Sequence, residues 1–143
     1  MNHFDFSGGA ILREVAEQLR LALGDKMDTL TIERAVIGLF FTGVKLNTGQ
    51  GGLCFTPIKN IPEAVCCPSS ARAMPNSGQL KGEKVTALLD KMFLGNPLRK
   101  ALGIATLNAL SSVYWDNNPA VNYAFQRGVD PLDGAIIPDD AHV

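Results

Sequence analysis

Histidine is scarce in this sequence, and its scarcity excludes several kinds of site. The 143-residue chain has two histidines, His3 and His142, at its opposite ends. A Ser-His-acid catalytic set needs a histidine that the fold holds firmly, and chain ends are the positions least often held. The glycine cluster at 49–52 is no phosphate-binding loop, because no Lys-Ser/Thr pair and no helix follow it. The sequence therefore shows no standard catalytic set, and whether the protein is an enzyme stays open.

Excess charge of one sign is also lacking. The chain carries 13 basic and 14 acidic residues, with a net charge of −1 and no basic patch interleaved with aromatic residues. Nucleic acid is therefore not an expected partner. No apolar run approaches the roughly 18 residues that span a bilayer, and the N-terminus lacks the pattern of a signal peptide. We expect a cytoplasmic protein that makes no membrane contact.

Cysteine is sparse, and its spacing matches no common metal motif. The three cysteines are Cys54, Cys66 and Cys67. An odd number without a secretion signal favours free thiols over a disulfide framework. Adjacent Cys66 and Cys67 are candidate ligands for a soft or transition metal ion, because thiolates suit zinc and copper(I). A structural role for this pair is the alternative, and Cys54 is predicted to be a small core residue.

Apolar residues are plentiful enough for one folded domain, at 46% of the chain. The clearest element is the segment 96–115, in which Asn96 can cap a helix and Pro97 suits its first turn. This helix is apolar nearly all round, which predicts a buried, central position. Its small residues would let neighbouring elements approach closely. They are Ala101, Gly103, Ala105 and Ala109.

The remaining pattern predicts an α+β fold with a small antiparallel meander sheet of two or three strands packed by about three helices. Apolar periodicity places helices over 10–23, 83–93 and 97–114. Runs rich in β-branched and aromatic residues place strands near 30–39, 40–46 and 52–57. One long bent strand over 30–46 is an alternative. Because so small a sheet is unstable alone, we expect the helices at 10–23 and 97–114 to cover it.

Five polar residues are candidate ligand-binding positions. They are Thr42, Lys45, Thr56, Ser77 and Asn108. The threonines can equally form a cross-strand contact, and Lys45 binds an anionic group only if the sheet edge lines a cleft. Ser77 precedes a predicted helix, whose backbone N–H groups can bind anions, although plain helix capping explains it as well. Asn108 can be a satisfied core amide that ties down a loop carbonyl.

Four phrases occur in order along the chain: IERAVIGLFFTGVKL at 32–46, GLCFTP at 52–57, SGQLKG at 77–82 and NPLRKALGIATLNAL at 96–110. In combination they resemble a two-domain bacterial and archaeal family named "putative heavy-metal chelation". The resemblance implies an N-terminal domain similar to the enolase N-terminal domain, followed by a Rossmann-like domain with the active site between them. It also implies a second role for Asn108, as an amide that points into the interdomain cleft.

The resemblance implies a domain organisation and two alternative functions. Residues 1–9 form a flexible lead, 10–115 the enolase N-terminal-like domain, and 116–143 a linker or tail toward a Rossmann-like domain that this sequence lacks. The first function is contact with a small molecule or substrate, together with a separately supplied Rossmann-like chain. The second is a non-enzymatic module that self-associates through the former interdomain face. Tyr114, Trp115, Tyr123 and Phe125 are candidates for that face.

Overall fold

Four helices and one three-stranded sheet make up the part of the chain that the structure describes. The computed structural model describes residues 8–57, 59, 74–118, 128–130 and 133–134. The elements are α1 (Gly8–Leu23), α2 (Lys26–Thr29), β1 (Ile32–Ile37), β2 (Phe41–Leu46), β3 (Gly51–Phe55), α3 (Val85–Lys91) and α4 (Pro97–Asn117). Across these ranges, no helix combines the length and hydrophobicity needed to cross a membrane. The α+β class is confirmed, whereas likeness to the enolase domain stays a prediction.

The sheet is an antiparallel meander in the order β1-β2-β3. The stretch 30–46 divides into two strands, as expected, rather than forming one long bent strand. Val36 lies opposite Gly43 on β2, and Gly43 lies opposite Leu53 on β3. The register shifts between Ile32 and Arg34, which is the mark of a β-bulge. This alternation places one face of the sheet against the helices and the other toward solvent.

Helix α4 is the centre of the fold, and its predicted start is confirmed. The Asn96 side-chain oxygen accepts hydrogen bonds from the backbone N–H groups of Leu98 and Arg99 at 2.9 and 3.1 Å. Such a cap satisfies donors that a helix start would otherwise leave unpaired. The helix packs across β2 and β3. Its buried residues are Leu98, Ala101, Leu102, Gly103, Ala105, Thr106, Leu107, Ala109, Leu110 and Val113.

Glycine lets the backbone of β3 lie directly on α4. A Cβ atom built at Gly52 would overlap the carbonyl oxygen of Ala105 and the backbone nitrogen of Ala109, and would lie 3.0 Å from the carbonyl carbon of Asn108. A methyl group has no room there, because every obstacle is helix backbone. On another side of α4, Gly103 packs against Met92, whose sulfur would lie 2.7 Å from an added Cβ. The small residues of α4 thus do permit close neighbours.

Helix α1 does not cover the sheet, so that part of the expectation is wrong. It packs on α4 and α2, with Ala16, Leu19 and Leu23 buried. Its apolar periodicity identifies the face that is buried but not the element that buries it. Because α4 already lies across the inner side of the sheet, α1 contributes a further layer behind α4.

The predicted helix near 83–93 is confirmed as α3, which forms an αα-hairpin with α4. Val85, Leu88 and Leu89 are buried, as is Met92 just after the helix. Gly95, at φ +80°, allows the sharp connection to Asn96. Backbone hydrogen bonds from Ile32 to Glu83 and from Gly82 to Ile32, at 2.9 and 2.7 Å, tie β1 to the segment before α3.

Candidate functional site

The solvent side of the sheet carries a large apolar surface. We call it the outer face and define it by six side chains, each between 56% and 68% exposed: Val36, Leu39, Phe40, Phe41, Leu53 and Phe55. Phe41 and Phe55 lie opposite each other in the β2–β3 register. Extended exposed apolar patches of this kind mark interaction surfaces in proteins. The outer face is therefore the first candidate surface for a partner.

The surface predicted from the aromatic residues lies elsewhere. Tyr114 and Trp115 are both half-buried on α4. Their rings pack edge to face with centroids 5.3 Å apart. Tyr123 and Phe125 lie outside the described residues. The outer face is thus formed by strand residues together with Leu39 and Phe40 of the β1–β2 turn, and a contribution of these aromatic residues stays a prediction.

The basic end of the sheet borders an open cavity of about 750 Å³. We call it the β3 cavity; the side chains that matter here are Arg34, Val36, Lys45, Leu53, Asn108 and Ser112. Gly43, Gly51 and Gly52 contribute backbone to its lining. It therefore combines two cations, an amide, a hydroxyl and two apolar side chains. These polar side chains lie beside an apolar wall, as a site for a polar organic molecule requires.

Lys45 lies at this cavity, as its candidate role requires. Its Nζ is 3.0 Å from an oxygen of Glu33, and both side chains are about half exposed, at 50% and 42%. An exposed ion pair of this kind contributes about 0–1 kcal/mol. The pair can therefore be exchanged for a stronger anionic partner at little cost, and the binding role of Lys45 stays a prediction.

Asn108 is exposed, which corrects its interpretation as a core residue. Its Nδ2 donates a hydrogen bond of 2.7 Å to the carbonyl oxygen of Leu53 on β3. The amide does tie down a carbonyl, but that carbonyl belongs to a strand rather than a loop. The helix was expected to be buried all round, yet at this position it overhangs β3 and faces solvent. Whether Asn108 faces an interdomain cleft stays a prediction.

Thr42 and Thr56 form the cross-strand contact that their spacing suggested. Their hydroxyl oxygens are 2.9 Å apart, and the two residues are 0% and 4% exposed. Each hydroxyl is thus the buried partner of the other. A ligand would need to reach them from the helix side of the sheet, so their observed contact is structural, and a binding role stays a prediction.

The threonine pair gives a test with an internal control. Thr42→Val is expected to lower the free energy of unfolding by about 1–3 kcal/mol, because it leaves the Thr56 hydroxyl buried without its partner. Thr42→Val combined with Thr56→Val should recover most of that loss, since two methyl groups need no hydrogen bond. Urea unfolding measures both. A double variant less stable than the single one would contradict the paired arrangement.

The remaining predicted site residues do not gather at the β3 cavity. Ser77 is exposed in the turn before α3 and does not line the cavity. Cys66 and Cys67 lie outside the described residues. Cys54 is half-buried beside a second cavity of about 590 Å³, and this burial raises the pKa of its thiol. Within the described ranges, no three His, Cys, Asp or Glu side chains are grouped to hold a metal ion.

Sequence reasoning missed Arg34, Ser112 and Gly51. Arg34 reaches the cavity because it lies directly opposite Lys45 in the β1–β2 register. That pairing follows from the bulge after Ile32, which no local pattern reveals. Ser112 follows Asn108 by one helical turn, and this spacing was the one available signal.

Comparison with known proteins gives one family. The model of a family described as "Putative heavy-metal chelation" matches residues 21–111. This range includes the whole sheet, α3, most of α4 and every side chain of the β3 cavity named above except Ser112. Searches of curated proteins and of solved structures give no significant match.

Proposed function

Because the chain belongs to the family described as "putative heavy-metal chelation", we propose that it contacts the small molecule of a chelation protein. In this proposal a separately supplied Rossmann-like domain covers the outer face. We assign the domain to binding rather than to a complete reaction.

The chemistry of the described residues supports contact with an organic compound, and metal ligation by Cys66 and Cys67 stays a prediction because both lie outside those residues. Within those residues there is no cluster of metal-binding side chains. Burial raises the pKa of the Cys54 thiol, and the thiolate, not the thiol, is the metal ligand. The β3 cavity, in contrast, offers cations, an amide and a hydroxyl to a polar molecule.

The single observation that carries the proposal is the outer face. Its six large apolar side chains are each more than half exposed, although the inner side of the same sheet is well packed. Such surface is costly to leave in water, at about 25 cal/mol per Å². A covering domain would bury it and would close the β3 cavity at its margin, which is how a two-domain site forms.

Native mass spectrometry of the protein from its own cells, prepared without chelators, tests this proposal. We expect a second chain, identified by peptide sequencing as a Rossmann-like domain, in a stable complex. Phe41→Ser combined with Phe55→Ser should abolish that complex. Leu21→Ser is the matched control, because Leu21 is 71% exposed but lies on α1. A chain that never carries this partner, or a complex insensitive to the phenylalanine changes, would overturn the proposal.

One observation favours a second candidate, a non-enzymatic module that self-associates. Phe41 and Phe55 are direct neighbours across β2 and β3, so two copies related by a two-fold axis could stack these rings on each other. The same mass measurement distinguishes the two functions. A homodimer that Phe41→Ser and Phe55→Ser dissociate, without any second chain, supports self-association.

A further inference from the structure

We propose that the β3 cavity binds a carboxylate-bearing small molecule, with Arg34 as the main anchor and Lys45 as the second cation. This inference deepens the proposed function by naming the ligand class. It rests on the proposed function for the biological role of the ligand. Binding of the anion itself requires only side chains of this chain.

The charges around the cavity leave the exposed Arg34 side chain available to an anion. Arg34 and Lys45 lie directly opposite each other on β1 and β2, and like charges in that position disfavour the sheet. Glu33 is paired with Lys45. Among the described residues, the Arg34 side chain forms no hydrogen bond or ion pair. A bound carboxylate would satisfy the guanidinium, which matches its two oxygens with two parallel N–H donors.

The shape of the cavity depends on a glycine that the fold does not require. Gly52 must be glycine because α4 lies on it. Gly51 has no such constraint: its φ is not positive, and an added Cβ would meet only the Val44 carbonyl oxygen at 3.4 Å, an ordinary contact. The missing side chain at Gly51 leaves space open beside the backbone of β3. That space is what a ligand would occupy.

The other walls indicate an organic acid rather than a bare inorganic ion. The Ser111 hydroxyl donates a hydrogen bond of 2.9 Å to the Leu107 carbonyl oxygen, so it is not available to a ligand. The neighbouring Ser112 hydroxyl lines the cavity, and no hydrogen bond from it is seen within the described residues. Opposite these polar groups, Val36 and Leu53 offer an apolar wall. A carboxylate with a short carbon skeleton can contact both the polar groups and the apolar wall. Phosphate can contact only the polar groups.

Titration of the full chain with citrate and, separately, with inorganic phosphate tests the proposal, with binding followed by calorimetry and by NMR shifts. We expect citrate to bind more tightly than phosphate. Arg34→Gln should weaken citrate binding by about tenfold or more, as loss of a bidentate charge-assisted contact does. Arg34→Lys should bind with intermediate affinity, because it keeps the charge but loses the planar fork.

Two further variants separate a built site from general charge attraction. Lys100→Gln removes the same charge from the first turns of α4, where Lys100 is exposed at the other cavity, and it should leave citrate binding unchanged. Gly51→Leu keeps every charge but places a side chain in the space beside β3, and it should weaken citrate binding. Circular dichroism checks that each variant is folded.

Several results would overturn this inference. The first two are absence of citrate binding and equal citrate affinity of Arg34→Gln and the original chain. The others are equal losses of citrate affinity in Arg34→Gln and Lys100→Gln, and phosphate binding as tight as citrate binding. These results are independent of the partner experiment. Citrate binding without any Rossmann-like chain would remove the proposed covering domain and leave the anion site in place. A Rossmann-like partner chain without citrate binding would support the covering domain and remove the anion site.

Discussion

Gly52→Ala is expected to lower the free energy of unfolding by about 3 kcal/mol or more. Overpacking a core usually costs about 1–3 kcal/mol, but here the added methyl group meets backbone rather than flexible side chains. It overlaps the Ala105 carbonyl oxygen and the Ala109 nitrogen. To relieve that overlap, β3 and α4 must separate along their whole contact. Domains of this size have only about 5–15 kcal/mol of stability in total.

The neighbouring glycine provides the control for this prediction. Gly51→Ala adds the same methyl group one residue earlier, where the nearest atom is the Val44 carbonyl oxygen at 3.4 Å. It should change stability by less than about 1 kcal/mol, and it can stabilise by restricting the unfolded chain. Urea unfolding followed by circular dichroism gives both values. Equal midpoints for the two variants would show that β3 does not lie directly on α4.

Leu110→Ala is expected to cost about 2–5 kcal/mol, the range for deleting a fully buried leucine side chain. Leu110 is 0% exposed on α4, within the same core cluster as Val44 and Leu46 of the sheet. Its loss leaves a cavity in the layer that joins helix and strands. The sheet and the other helices hold α4 in place. We therefore expect little relaxation into the space and a cost near the upper end of the range.

Leu21→Ala removes the same atoms from an exposed position and controls for helix propensity. Leu21 is 71% exposed on α1, so its replacement should alter stability by no more than about 0.5 kcal/mol. Thermal unfolding of the original chain, Leu110→Ala and Leu21→Ala compares the losses of stability directly. A Leu110→Ala protein that melts with the original chain would place Leu110 outside the core.

Local signals in the sequence predicted most of the fold. The Asn96 cap and Pro97 mark the start of α4, because capping depends on atoms within a few residues of each other. Gly24, at φ +50°, ends α1 for a similarly local reason. The meander follows from the alternation of buried and exposed residues along β2. Where structure depends on neighbours in sequence, the sequence is informative.

Contacts between distant segments were not predictable in the same way. The apolar stripe of α1 does not say whether it meets the sheet or α4. Asn108 looked like a core residue because its flanking residues are apolar, yet the helix overhangs the edge of β3 there. The pairing of Arg34 with Lys45 depends on a bulge, which changes register without a sequence signal. The candidate site is therefore less predictable than the fold, since it is built mainly from such pairings.

The hydrogen bond between Asn108 and Leu53 bears on aggregation. β3 is an edge strand of the described sheet, and an exposed edge beside an apolar face is a template for adding strands from other chains. The Asn108 amide of α4 occupies one acceptor of that edge, the Leu53 carbonyl oxygen. We expect this contact to disfavour the addition of a strand at Leu53 of β3, while it leaves the outer face free for a folded partner.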